Sequence, residues 1–345
     1  MRILHLISGN PHSGEETFAI DVIRCLQERN VEQFVLCRPH DIFLDGLRCA
    51  AVPYEKFTFA KWQKWFQSGV IQQRIKSYTP NVIHCWTRRA AIFIPRNNEV
   101  PTLGWYPFNP KMRCAAACDF YMGVTKKQVA LIEELMARSD RVFLVTPFGK
   151  LIDNAPLSRE EFGIPSDKPV ILMLARMHPV KGVDTLLRAC VNLDVFLLLA
   201  GDGPELQNYK KLARNLGLES RVCFTGWRTD RSALLDIADI LAVPSRFEPF
   251  GTIMTEAWCK GVPLVATKAE GPRIYIKHCV NGMLSEIDDV DGLAQNLRTV
   301  LEDERLRSRL IAEGTRTYET QFSEEIVISK LLQTYEEIIR RSVSV

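Results

Sequence analysis

The chain has 345 residues, 46% of them apolar and 25% charged, with a net charge of +3. That length suits two ordinary domains, and the composition excludes disordered and fibrous classes. No apolar run nears the roughly 18–20 residues of a membrane span. The N-terminal run breaks at a Gly-Asn-Pro turn, too early for a secretory leader, so the expected location is the cytoplasm. The ten cysteines are scattered, without a C-x-x-C pair, and Cys25, Cys37, Cys190 and Cys223 sit in apolar runs. They read as reduced thiols rather than a disulfide or zinc framework.

Charge is uneven along the chain. Residues 1–150 carry 20 Lys and Arg against 13 Asp and Glu, and within 51–127 the balance is 12 to 3. Such a stretch favours phosphates, nucleic acid or anionic lipid. Nucleic acid is disfavoured, because no aromatic–glycine motif accompanies the basic residues.

RILHLI (2–7) is the first buried-strand pattern, followed by a loop with Gly9 and Gly14 and an amphipathic helix from Glu15 to about Arg29. QFVLC, a helix near 60–77, NVIHC (81–85), DFYMGV, a helix near 125–137 and RVFLV (141–145) continue the alternation. Residues 147–168 are rich in Pro, Gly, Ser and Asp and predict an interdomain connection. The pattern then restarts with PVILMLA (169–175), VFLLLAG (195–201), RVCFTG (221–226), DILAVPS (239–245) and VPLVAT (262–267), each followed by a helical stretch. Buried strands alternating with helices predict parallel sheets covered on both faces. The expected division is an N-terminal Rossmann-like domain over 1–152 and a linker over 153–168. A second Rossmann-like domain spans 169–325, and a C-terminal helix over 326–345 packs back toward the first.

In open parallel sheets, ligands bind outside the carboxyl ends of strands. After Ile7, Gly14 opens a helix whose free N–H groups favour an anion, though an ordinary turn fits as well. After Ala175, Arg176 and Lys181 flank a Pro turn. They suit a diphosphate clamp, with surface salt bridges as the alternative. After Phe224, Trp227 suits base stacking or packing. GDGPE (201–205) is a tight turn and helix cap. The only Asp-x-Asp, Asp289–Asp291, precedes a helix and suits a cap rather than a cation, so no metal site is expected.

RFEPFGTIMTEAW (246–258) carries two glutamates across a strand–loop–helix junction. Gly251, Thr252 and Ile253 bring amide groups to a helix N-terminus. Glu248 precedes them in the loop and Glu256 lies about one turn into the helix. Carboxylates accept hydroxyl hydrogen bonds, so the arrangement suits a ligand with hydroxyls on both sides of a diphosphate. A nucleotide sugar is such a ligand.

At these residues the sequence resembles the large retaining E-x7-E glycosyltransferase family of the bacterial envelope. ARMHPVKGVDTLL, LLLAGDGPEL, VCFTGW, DILAVPSRFEPFGTIMTEAWCKGVPLVAT and GPRIYI…NGML follow its order. Across 1–150 the likeness is looser, with SGEE (13–16) and VIHCW (82–86). The resemblance implies the GT-B fold, two Rossmann-like α/β/α domains with the donor in the interdomain cleft. It implies that Arg176, Lys181 and the Gly251–Thr252 amides hold the diphosphate, that Glu248 binds the donor sugar and that Glu256 binds the ribose. It also implies front-face transfer without a metal or cofactor, with a UDP-sugar favoured and an envelope glycan or lipid-linked acceptor. Trp86 stands where relatives place the second His of His-x-His, and Ile274 where they often carry glutamate. The competing readings are a nucleotide-sugar epimerase of this fold and a non-catalytic binding protein.

Residues 57–78 place Trp62, Phe66 and Val70 on one helical face with Trp65 beside it and Lys61 and Lys64 flanking. They suit an anionic membrane surface on the inner leaflet, or a helix whose aromatics join the core.

Overall fold

The computed structural model describes residues 1–9, 14–95, 97–105, 118–136, 139–149, 151 and 155–343. The chain divides into two compact units, Met1–Phe148 with Glu324–Val345, and Gly149–Ser323. Residues 155–168, expected within a connection, therefore belong to the second unit. There Arg159 donates to Asp239 Oδ2 at 2.9 Å and to the Ile237 carbonyl at 3.1 Å. No helix among the described residues is long and apolar enough to cross a membrane.

The first unit is built on a sheet of β1 (Arg2–Ile7), β2 (Glu32–Cys37), β3 (Tyr54–Lys56), β4 (Val82–Cys85), β5 (Thr102–Trp105), β6 (Phe120–Gly123) and β7 (Val142–Leu144), in the order β3-β2-β1-β4-β5-β6-β7. Every pairing is parallel. Its helices include α1 (Gly14–Glu28), α2 (Asp41–Cys49), α3 (Lys64–Tyr78), α4 (Arg88–Ala91) and α5 (Lys126–Met136). Strand order reverses between β1 and β4, which makes the carboxyl ends of those strands the topological switch point.

The C-terminal helix, Glu324–Val343, is part of this unit. Arg29, the residue after α1, pairs with Glu324 at 3.0 Å and Glu325 at 2.6 Å. Tyr335 reaches the sheet, with its hydroxyl 2.7 Å from His84 Nδ1. His84 is buried beside His5, its parallel partner across β1 and β4. The Trp86 indole N–H donates to His5 Nδ1 at 3.1 Å, which fixes the His5 proton on Nε2, facing Gln33 Oε1 at 3.1 Å. Gln33 passes the chain on to the Ile23 carbonyl. His84 is thus a structural residue of the strand, and Trp86 stacks on it with ring centroids 3.9 Å apart.

The second unit carries β8 (Val170–Leu174), α6 (Val183–Ala189), β9 (Phe196–Ala200), α7 (Leu206–Asn215), β10 (Val222–Gly226), α8 (Arg231–Asp236), β11 (Ile240–Val243), α9 (Thr252–Cys259), β12 (Leu264–Thr267), α10 (Glu270–Tyr275), β13 (Met283–Ser285), α11 (Val290–Glu302) and α12 (Glu304–Gln321). The parallel sheet runs β10-β9-β8-β11-β12-β13. VILML, FLLLA, ILAV and LVAT are near-continuous apolar runs because both faces are covered. The switch point here lies between β8 and β11.

Candidate functional site

The loops after β8 and β11 lie side by side at that switch point. The backbone N–H of Arg246 donates to the Val180 carbonyl at 2.8 Å. Gly182 makes the approach possible. Its φ is +68°, and a Cβ would fall 2.0 Å from the Pro244 carbonyl oxygen. Gly201 and Gly203 fit the same way under the β8 loop, against the Ala175 and Met177 carbonyls.

Arg246 fastens the two loops. Its guanidinium forks onto Asp184 at 2.9 and 2.7 Å, reaches Asp288 at 2.7 Å and donates to the Pro179 carbonyl at 2.6 Å. Burial alone would raise the Asp184 pKa, but the Arg246 bonds outweigh it and hold the carboxyl below its usual range. Sequence reasoning missed this role, because Asp184 lies 62 positions away.

Arg176 is exposed and makes no ion pair with any described residue. Lys181, last residue of the turn Pro179–Lys181, donates to Glu248 Oε2 at 2.6 Å. Glu248 also lies 3.4 Å from Ser245 Oγ, and its carbonyl accepts from the Gly271 N–H at 2.7 Å. The first turn of α10, which carries Gly271, therefore holds the glutamate loop in place.

Gly251 caps α9 in the left-handed region with φ +90°, and no side chain caps the helix. The Thr252 and Ile253 amides stand in its first turn, where the helix field favours an anion. Glu256, the fifth residue of α9, is wholly buried. Its Oε1 accepts from Arg231, and its Oε2 meets no partner among the described residues. Burial raises its pKa, and the Arg231 charge opposes the shift. A half-satisfied buried carboxylate is costly in isolation and suited to hydroxyl donors from a ligand. Gly149 was also missed. A Cβ there would lie 2.1 Å from Glu256 Cγ.

Trp227, 39% exposed, follows β10 four residues before Arg231. The second unit thus holds Arg176, Lys181, Glu248, Gly251, Thr252, Ile253, Glu256 and Trp227, while Gly14 opens α1 in the first unit. Asp289 Oδ1 accepts from the Gly292 N–H at 2.9 Å and caps α11. In the first unit Cys25, Glu28 and Glu324 bring ligand atoms together, but Arg29 engages the Glu324 carboxylate.

Residues 154–317 match the family model described as glycosyl transferases group 1. A lipopolysaccharide core biosynthesis glycosyltransferase, LpsD of Rhizobium meliloti (strain 1021), is 30% identical, covering 97% of this chain and 98% of its own. The chain belongs to the group 1 glycosyltransferases. It is an enzyme that transfers sugars. LpsE of the same organism is also 30% identical, over 96% of this chain and 98% of its own. The crystal structure of Anabaena HepE with UDP-glucose superposes at a TM-score of 0.84 with 23% identity, covering 97% of this chain and 99% of HepE. The shared fold is GT-B, two Rossmann-like α/β units.

Proposed function

We propose that the enzyme is a retaining glycosyltransferase. It moves a sugar from a nucleotide diphosphate sugar, UDP-linked in the first instance, to an envelope glycan or a lipid-linked acceptor. The observation that carries this reading is the half-satisfied Glu256 on α9, set behind the uncapped Gly251–Thr252–Ile253 amides with Lys181 and Glu248 on the adjoining loops. Two relatives named for lipopolysaccharide core biosynthesis and a fold neighbour holding UDP-glucose support it.

On this reading Arg176, Lys181 and the α9 amides stabilise charge on the leaving diphosphate. Glu256 takes the ribose hydroxyls, Trp227 faces the base and Glu248 orients the sugar. The leaving diphosphate oxygen receives the acceptor proton in a front-face transfer. The cations and amides provide the counter-charge, so the scheme assigns no metal or cofactor.

The acceptor side rests on the first unit. Trp62, Trp65 and Phe66 are 84%, 95% and 75% exposed. Phe57 and Phe59 are buried in the core. The core alternative therefore holds for the two phenylalanines and fails for the other three aromatics. Lys61 and Lys64 flank the exposed group, which suits docking of the enzyme, from the cytoplasm, on the anionic inner leaflet.

Thermal unfolding with a panel of UDP-, GDP- and ADP-sugars tests the donor. A ligand at a hundredfold excess over its Kd adds about 2.7 kcal/mol. The best donor is then incubated with and without an envelope glycan. Retained anomeric configuration in an acceptor-dependent product supports the proposal. Inverted product, or an altered nucleotide sugar formed without acceptor, refutes it.

A further inference from the structure

We propose that Arg246 is a positioning residue of the donor site: it keeps the Lys181 turn and the Glu248 loop in register while a donor engages Lys181 and Glu248. This deepens the transferase reading and rests on it.

The need for such a residue follows from the site itself. Lys181 and Glu248 stand on separate loops, after β8 and after β11, and one bond of 2.6 Å joins their side chains. A bound donor offers each a new partner, phosphate oxygens for the ammonium and sugar hydroxyls for the carboxylate. The bond between them is therefore the one that a donor weakens, and it is not what holds the loops together at that moment. Transfer needs both side chains in place, and a misplacement of about 1 Å costs on the order of a hundredfold in rate.

Arg246 supplies a tie that the donor leaves alone. A guanidinium has five N–H groups, and five bonds use them here: one to Asp288 Oδ1, two to Asp184, one to the Pro179 carbonyl and one to Thr185 Oγ1 at 3.4 Å. At the Val180 carbonyl, the Phe247 N–H donates at 3.2 Å beside the Arg246 N–H. None of these bonds goes to the side chain of Lys181 or Glu248. Yet Arg246 lies two residues before Glu248, and Pro179 and Val180 are the first two residues of the turn that ends in Lys181. One residue thus grips both loops through their backbones and leaves the ammonium and the carboxylate to the ligand.

Asp288 brings in a third loop. It lies between β13 and α11 in the left-handed region, with φ +63°, a conformation uncommon outside glycine that tertiary contacts must maintain. Its Oδ1 also accepts from Thr185 Oγ1 at 3.2 Å. Asp184 and Asp288 share one guanidinium, and its removal leaves both carboxylates without that counter-charge. A planar fork meets all these acceptors together, whereas a lysine ammonium supplies the charge as a single point. Substitution can therefore separate charge from geometry.

The test compares wild type with Arg246→Lys and Asp288→Asn, using the best donor and an envelope glycan acceptor. Arg246→Lys keeps a cation beside the two aspartates and loses the fork. It is expected to lower kcat by roughly 10- to 100-fold, while UDP affinity by calorimetry changes by less than about threefold. The decisive readout is the coupling of Lys181→Ala with Glu248→Gln, measured in kcat/KM. In wild type these two substitutions depart from additivity, and in the Arg246→Lys background they add to within about twofold. Asp288→Asn should shift kcat and coupling in the same direction, and it carries the test alone if Arg246→Lys does not fold. A UDP-induced thermal shift in each variant shows that the donor site is folded. Wild-type kcat in the folded variants, coupling that persists in them, or a loss of UDP affinity equal to the loss of kcat each overturns the positioning role while the transferase reading stands. A wild type that transfers no sugar from any donor removes that reading, and the inference with it.

Discussion

Lys181 Nζ stands 2.6 Å from Glu248 Oε2, although 67 positions separate the two residues. The cation assigned to a diphosphate and the carboxylate assigned to a sugar are thus each other's partner. Each is mostly buried, so the pair is geometrically fixed. A nucleotide diphosphate arriving between them gains a cation already oriented by its neighbour.

Lys181→Ala is expected to weaken UDP binding by tenfold or more, since a charge-assisted hydrogen bond contributes about 1.5–3 kcal/mol. Arg176→Ala should do the same through an exposed side chain, without loss of stability. Glu248→Gln should lower transfer much more than UDP affinity. Calorimetric titration decides. Equal losses of UDP affinity in Lys181→Ala and Glu248→Gln would refute the division of roles. The double variant should depart from additivity, because the side chains touch.

Glu256 makes a prediction with a sign. Burial raises its folded-state pKa above the usual 4.5, so the folded protein holds that proton more tightly than the unfolded chain. Stability from this group is therefore lost as pH rises from 4.5 toward the raised value. Glu256→Gln escapes that loss. Its stability relative to wild type should improve between pH 4.5 and 7, while its affinity for UDP falls. Urea unfolding across that range measures the first and calorimetry the second. A variant that becomes steadily less stable than wild type as pH rises would contradict the argument.

These residues were legible because each follows a run such as VILML or ILAV whose continuous apolarity marks a central strand, and chemistry in such sheets collects at strand ends. What stayed hidden depends on distance along the chain. Nothing local announces that Arg246 reaches Asp184, or that Gly149 is small because Glu256 lies against it. β3 and β13 are three residues each and carry no period to detect. Helical spacing placed Trp62 and Phe66 on one face but not on the outer side, since an aromatic stripe has the same period whether it meets core or solvent.

His5 and His84 supply a pH test for the first unit. Burial lowers the His5 pKa to about 3 and pushes His84 well below 6.5. Both are neutral when folded and take up protons on unfolding, so their stabilising share is full above about pH 6.5 and is lost as pH falls toward the folded values. His84→Asn should make stability less steep in pH between 6 and 4, by up to about 1.4 kcal/mol per pH unit. Tyr335→Phe leaves His84 Nδ1 unsatisfied and should cost about 1–3 kcal/mol without changing that slope. Parallel slopes for wild type and His84→Asn would show that His84 is protonated in the fold.

The aromatic patch separates binding from folding more cleanly than any other feature. Trp62, Trp65 and Phe66 project from the turn Lys61–Gln63 and the start of α3, while Phe57 and Phe59 just before them are packed against Phe93. Replacing the three exposed side chains with serine removes no core contact, so stability should change by about 0.5 kcal/mol or less. Lys61→Glu with Lys64→Glu reverses the charge beside them, and each surface cation contributes about 1 kcal/mol with anionic lipid. Vesicle co-sedimentation should show wild type bound to anionic vesicles at low salt, weakened at high salt and absent from neutral ones. The serine variant should bind poorly at any salt, because it lacks the groups that enter the interface. The Glu variant should lose the salt-sensitive share. A wild type that stays in the supernatant at low salt would mean that the patch meets another partner and that the acceptor reaches the enzyme from solution.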